Sequence, residues 1–178
     1  MLAASLSLLL LAASQDVRLD HRGAVGLLLG VGGLRKDASV PIENSWRGSV
    51  NVGVTFAFGY REQEIVIVAS TSMTRTEVIV NAMTGERAYG FGIDGILWGG
   101  YRTYFGEEWK TFVDLDLSVG VVPGFTAGPR VGIGLMRELS SVMGLYTTLH
   151  AQLGFGSALV FRAELAVGVQ LRSFLLED

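Results

Sequence analysis

The chain has no cysteine, only two histidines and three prolines, and charged residues at just 17% of its 178 positions. Without cysteine there is neither a disulfide framework nor a thiolate metal site. Histidine-based acid–base chemistry has only His21 and His150 to draw on. The net charge is −3 with no basic block, so the electrostatic footprint of a nucleic-acid binder is missing. No run of 18 apolar residues follows the N-terminus, so no transmembrane helix is predicted there. Charge this sparse falls well below the usual quarter and is too little for a water-exposed all-β domain. Glycine and apolar residues take the place of charge: 24 glycines, and 49% hydrophobic residues. The glycines show no Gly-X-Y period, which excludes collagen, and lie mostly inside strand-like runs.

The first fourteen residues, Met1-Leu-Ala-Ala-Ser-Leu-Ser-Leu-Leu-Leu-Leu-Ala-Ala-Ser14, form an apolar stretch too short to span a membrane as a helix. They read as a secretory signal with a small-residue cleavage site at Ala12-Ala13-Ser14, although no Lys or Arg precedes Arg18. The expected organisation is a signal peptide over 1–14 and one domain over 15–178.

That domain alternates. Leu159 to Arg172 places Leu159, Phe161, Ala163, Leu165, Val167, Val169 and Leu171 on one face, and Arg162, Glu164, Gly168, Gln170 and Arg172 on the other. Period two means a β-strand with two chemically different faces. The same sense recurs over Arg22–Val31, Gly48–Tyr60, Ile65–Ser72, Tyr89–Phe105, Lys110–Val121, Arg130–Met136 and Leu145–Phe155. Eight strands result if Met73–Arg87 is one extended loop, and ten if it is an extra hairpin; eight is favoured. The fold predicted is an all-β, antiparallel up-and-down barrel.

The composition of the two faces decides what surrounds it. The polar face is mostly Gly, Ala, Ser and Thr, which fits a narrow interior filled by side chains. The opposite face carries no charge along five strands. An Arg or Lys on a lipid-facing midplane costs about 2–4 kcal/mol, so this absence marks a membrane-facing surface. Phe58, Tyr60, Tyr101, Phe105, Trp109 and Phe174 group near one set of strand ends, and Tyr89, Phe91, Phe125, Phe155 and Phe161 near the other, as two aromatic girdles. With the N-terminus periplasmic, the short turns Arg61–Gln63, Gly106–Glu108 and Glu138–Ser141 lie in the periplasm. The longer loops Gly33–Trp46 and Met73–Arg87 lie outside, as loops carrying no recognised ligand signature.

Three stretches carry a family likeness: Gly99-Gly-Tyr-Arg-Thr-Tyr-Phe105, Gly128-Pro-Arg-Val-Gly-Ile-Gly134 and Ala166-Val-Gly-Val-Gln-Leu-Arg-Ser-Phe174. With them the chain resembles the small eight-stranded outer-membrane barrels of the OmpA/OmpX-like superfamily. The resemblance implies a monomer in the bacterial outer membrane after signal-directed export. It also implies contact with membrane lipids and lipopolysaccharide, and handling by the barrel-insertion machinery. Members commonly end in an aromatic that this machinery reads; here Phe174 is followed by Leu175-Leu-Glu-Asp178, and Ser173 interrupts the alternation.

Site residues follow from the register. A turn near Ser157 sets His150 opposite Glu164 and Gln152 opposite Arg162, and a turn near Ser140 sets Arg130 beside His150. Arg102 is expected to pair with Asp114 or Asp116. The expected interior network is therefore Arg102, Asp114, Asp116, Arg130, His150, Gln152, Arg162 and Glu164, because buried charges must be paired. His150 with Glu164 is half of a catalytic relay, with Thr148 a weak nucleophile candidate. Metal binding has little support: Asp114 and Asp116 share a face, but no histidine is near in sequence. Gly90-Phe-Gly-Ile-Asp-Gly95 lies in a strand and is no phosphate loop. The favoured function is a non-enzymatic barrel, structural or surface-interacting, without cofactor or open pore. The alternatives are an outer-membrane enzyme acting on lipid or lipopolysaccharide, and a soluble periplasmic ligand-binding barrel.

Overall fold

Eight antiparallel strands close into one barrel, each paired with its neighbours in sequence and β8 with β1. The computed structural model describes residues 21–37, 46–60, 62–81, 83–106, 109–121, 124–140, 142–157 and 159–174. The expected signal segment 1–14 and most of the loop between Gly33 and Trp46 lie outside the described residues. The strands are β1 (His21–Asp37), β2 (Arg47–Tyr60), β3 (Gln63–Asn81), β4 (Glu86–Phe105), β5 (Trp109–Gly120), β6 (Thr126–Ser140), β7 (Met143–Gly156) and β8 (Leu159–Phe174).

Closure fixes the tilt. Paired residues followed once around the wall run Tyr104, Phe112, Gly134, Thr148, Ala166, Gly30, Asn51, Ser72 and back to β4 at Asp94. The path returns ten residues from its start, since 104 − 94 = 10. At ~3.3 Å per residue and ~4.8 Å between strands, that stagger tilts the strands by about 40°.

The alternation sorts the side chains as a membrane demands. Val25, Leu27, Leu29, Val52, Ile67, Leu117, Ile133, Leu149, Leu165 and Val169 are exposed on the outer surface, while their sequence neighbours are buried inside. A soluble barrel would carry the reverse arrangement, so the soluble ligand-binding alternative is overturned. Phe58, Tyr101, Phe105 and Trp109 ring one end of this apolar surface; Phe125, Phe155 and Phe161 ring the other. Tyr60 and Phe174 close their strands at the first end, with side chains outside the described set.

Two strand assignments change. Met73–Arg87 is neither an extended loop nor an additional hairpin. It is the top of the β3–β4 hairpin itself, paired down to Asn81 and Glu86 and turned by Gly85 at φ +70°, a conformation that favours glycine. Strand β6 likewise runs on through Glu138–Ser140 instead of turning there. Glu138 faces inward and is held from two sides, by Lys110 of β5 and Arg172 of β8.

Candidate functional site

The interior is where the buried charges meet. Asp114 on β5 lies directly across from Arg102 on β4, and the guanidinium grips the carboxylate at both oxygens: Arg102 Nε donates to Oδ1 at 2.6 Å and Nη2 to Oδ2 at 2.9 Å. Both residues are almost fully buried. The cation also stacks over Phe112 at 4.2 Å, with Tyr146 at 5.5 Å. Tyr104 extends the chain, donating to Glu64 Oε2 at 2.7 Å. Phe112 packs edge-on against both Tyr104 and Tyr146, centroids 5.6 and 6.2 Å apart. Together with Met136 these rings pack inside the barrel, and neither Phe112 nor Met136 retains exposed surface.

A second layer lies nearer the other end. Arg130 stacks over Trp98 at 3.8 Å, and its Nη1 stands 3.6 Å from Asp116 Oδ2, an ion-pair distance beyond hydrogen-bond reach. Arg162 Nη2 reaches Asp94 Oδ2 at 3.5 Å. Gln152 sits between them in register, opposite Arg130 on one side and Arg162 on the other.

His150 is the informative residue. It lies opposite Glu164, as its distance from the β7–β8 turn requires, but Arg130 is not its neighbour on β6: Gly132 is. The expected row of Arg130, His150 and Glu164 is therefore displaced by two residues, because β6 continues past Glu138 and turns later. The glycine has a consequence. A side chain at position 132 would bring its Cβ within 2.3 Å of the imidazole Cδ2. With that space open, the ring reaches across β6 to β5, and His150 Nε2 contacts Asp114 Oδ2 at 3.2 Å. The carboxylate partner is thus Asp114, not Glu164, whose Oε1 has no hydrogen-bond partner.

This geometry does not assemble a relay. Thr148 Oγ1 lies 3.2 Å from the same Nε2 that faces Asp114, while Nδ1 has no partner. A nucleophile–histidine–carboxylate relay needs the two partners on opposite ring nitrogens. All three residues are also buried inside the barrel. His150 and Glu164 face each other in register, and the ring's hydrogen bonds go to Thr148 and Asp114.

Asp114, Asp116 and His150 each offer one ligand atom within 4.8 Å of the others. Their charges are already matched. Arg102 takes both Asp114 oxygens, and Arg130 faces Asp116. A divalent cation would have to enter beside two guanidinium groups. Sequence alone did not bring His150 to Asp114, because the contact spans three strands and depends on Gly132. Phe112 and Tyr146 were missed as interior packing, although both fall on the inward parity of their strands.

Neither a protein-family model nor a curated protein sequence matches the chain. Solved structures do match its shape. Neisserial surface protein A superposes with a TM-score of 0.54 at 10% identity, over 83% of this chain and 97% of that one. Ail, the attachment invasion locus protein of Yersinia pestis, superposes with a TM-score of 0.50 at 11% identity, over 86% and 99%. At such identity the likeness is one of fold. Closed eight-stranded connectivity, an apolar outer surface and these superpositions agree: the chain folds as an antiparallel eight-stranded transmembrane β-barrel.

Proposed function

We propose that the protein is an integral barrel of the bacterial outer membrane with a structural and surface-interacting role, neither a pore nor an enzyme. The observation that supports it best is the packed interior. Phe112, Met136, Tyr146 and the Arg102–Asp114 pair are all buried in the interior, which supports a closed barrel. What the barrel offers to another molecule is its rim. The N-terminal end of β1 and the C-terminal end of β8 lie at the end that carries the two-residue β2–β3 turn, which fits the periplasmic side. The long β3–β4 hairpin then points outward.

The test is fractionation of expressing cells, followed by heat-modifiable gel migration and conductance in planar bilayers. The protein should sediment with the outer membrane, need detergent for extraction and migrate faster unheated than boiled. It should add no steady conductance to a bilayer. Recovery as a soluble protein would overturn the membrane assignment, and steady conductance would overturn the closed barrel.

A further inference from the structure

The lipid-facing wall is not evenly covered. At the end ringed by Phe58, Tyr101, Phe105 and Trp109, a groove of about 360 Å³ runs over β1, between β2 and β8. Its position follows from the register. Gly23 stands on the outward parity of β1, two residues before Val25, and pairs with Phe58 on one side and Ser173 on the other. With no side chain at position 23, the outer surface drops there to backbone. Phe56 and Phe58 stand along one side of the drop and Leu171 along the other. Val25, in register with both Phe56 and Leu171, closes it toward the membrane centre. The groove therefore begins at the aromatic girdle. It runs two residues inward, about 5 Å at ~3.3 Å per residue and about 40° of tilt.

The lining decides what fills it. A held water needs several polar partners. The backbone groups of β1 are taken up by pairing on both sides. Arg172 borders the groove, but its guanidinium turns into the barrel, to Glu138 and to Met136 Sδ. Ala24 likewise faces the interior and belongs to the core. The side chains that face the groove, Val25, Phe56, Phe58 and Leu171, are all apolar. Left empty, such a space forfeits the dispersion contacts of its whole lining. Hydrocarbon satisfies it, and the groove is continuous with the apolar outer surface of Val25, Leu27 and Leu29, which already faces lipid.

We infer that this groove is a binding site for one acyl chain of a phospholipid in the leaflet at the periplasmic end. The headgroup stays at the level of the girdle, where interfacial aromatics sit. The first methylenes lie on Gly23, with the two phenylalanine rings on one side and Leu171 on the other. Elsewhere on the wall a chain touches the barrel from one side only; here it is enclosed on three and gains contacts. Lipid tails are as apolar as the wall, so the preference comes from packing and not from the hydrophobic effect. Because the groove spans β8, β1 and β2, the seated chain covers the seam where the last strand meets the first.

The choice of leaflet rests on the orientation proposed above, and the two can be tested apart. The chain has no cysteine, so Met83→Cys at the hairpin tip, a position 99% exposed, gives a single thiol. Labelling on intact cells by a membrane-impermeant maleimide reads orientation; absence of labelling overturns it, and the leaflet with it. The groove itself is tested on full-length protein folded into vesicles of phosphatidylethanolamine and phosphatidylglycerol. The protein is then released into mild detergent and weighed by native mass spectrometry. The wild type should retain one phospholipid per barrel. Gly23→Leu, which fills the floor, should lower the lipid-bound fraction at least fivefold. Phe58→Ala, which removes a wall, should lower it at least threefold. Ala151→Leu, which adds bulk at an exposed outer position on β7, should change it less than twofold. Heat-modifiable migration verifies that each variant is folded. Undiminished retention by Gly23→Leu overturns the inference. So does wild-type protein without bound lipid, a dimer in place of the lipid-bound monomer, or undiminished retention by Phe58→Ala, even if Gly23→Leu does not fold.

Discussion

Asp114→Ala should be the most damaging single truncation inside the barrel. The carboxylate is 1% exposed and neutralises Arg102 through two hydrogen bonds, and it receives His150 as well. Without it, the guanidinium stays enclosed by Phe112, Tyr104 and Tyr146, and the Glu64 carboxylate is already engaged by the Tyr104 hydroxyl. Breaking a buried ion pair from one side costs about 3–5 kcal/mol, and the lost histidine contact adds about 0.5–1.5 kcal/mol. We expect about 4 kcal/mol, roughly a thousandfold in the folding equilibrium. Removing both charges is different in kind. Arg102→Met with Asp114→Leu leaves no uncompensated charge and should fold within about 1–2 kcal/mol of the wild type. Urea titration in lipid vesicles, followed by tryptophan fluorescence, with both single variants and the double, closes the cycle. A loss below about 1 kcal/mol for Asp114→Ala, or additivity in the double variant, would refute the claim that this pair is held by mutual neutralisation.

Gly132→Ala forces its Cβ onto the His150 ring and should cost about 1–3 kcal/mol by overpacking; in a His150→Ala background most of that cost should vanish, which the same titration reads. Leu29→Arg puts a cation on an outer-face position that is 58% exposed and should lose about 2–4 kcal/mol, with reduced insertion into vesicles. Glu138 lies at the rim, beyond the point where Arg137 on the outer face stacks over Trp109. The hydrogen bond from Lys110, followed by that from Arg172, holds its carboxyl below the usual range. A lowered folded-state pKa means stability that is present above the unfolded value and lost as pH falls through the folded one. The wild type should therefore lose more stability than Glu138→Gln as pH drops below about 4. Equal acid sensitivity of the two would show that the clasp carries none of it.

Much of the architecture was legible because a barrel writes period two into its sequence. Parity alone placed Arg102, Asp114, His150, Arg162 and Glu164 inside and Leu165 and Val167 outside. The β7–β8 register followed from a short glycine-containing turn, so His150 met Glu164 in register as counted. The β6–β7 register did not follow, because polar Glu138–Ser140 resembles a turn while its inward carboxylate is an ion-pair partner. Met73–Arg87 resembled a loop for a related reason: above the membrane both faces of a hairpin meet water, and the apolar–polar contrast that marks a strand fades. The His150–Asp114 contact was illegible in principle. It depends on a ring crossing the space left by a glycine on the strand between, a three-strand coincidence that no local pattern records.

The interior divides the work of the barrel between its walls. The circuit through Gly30, Asn51 and Ser72 is lined by small side chains, with Glu164 lying over Gly30, while Tyr104 and Phe112 on β4 and β5 are large and Phe112 lies over Gly134. Among the described interior residues, Arg102 and Arg130 stack on aromatics of β4, β5 and β7. The aromatic packing is therefore supplied by the second half of the chain, and Glu64 and Thr55 of the first half bond its tyrosine hydroxyls. Substitutions at Asp114 or Gly132 should therefore lower the unfolding midpoint.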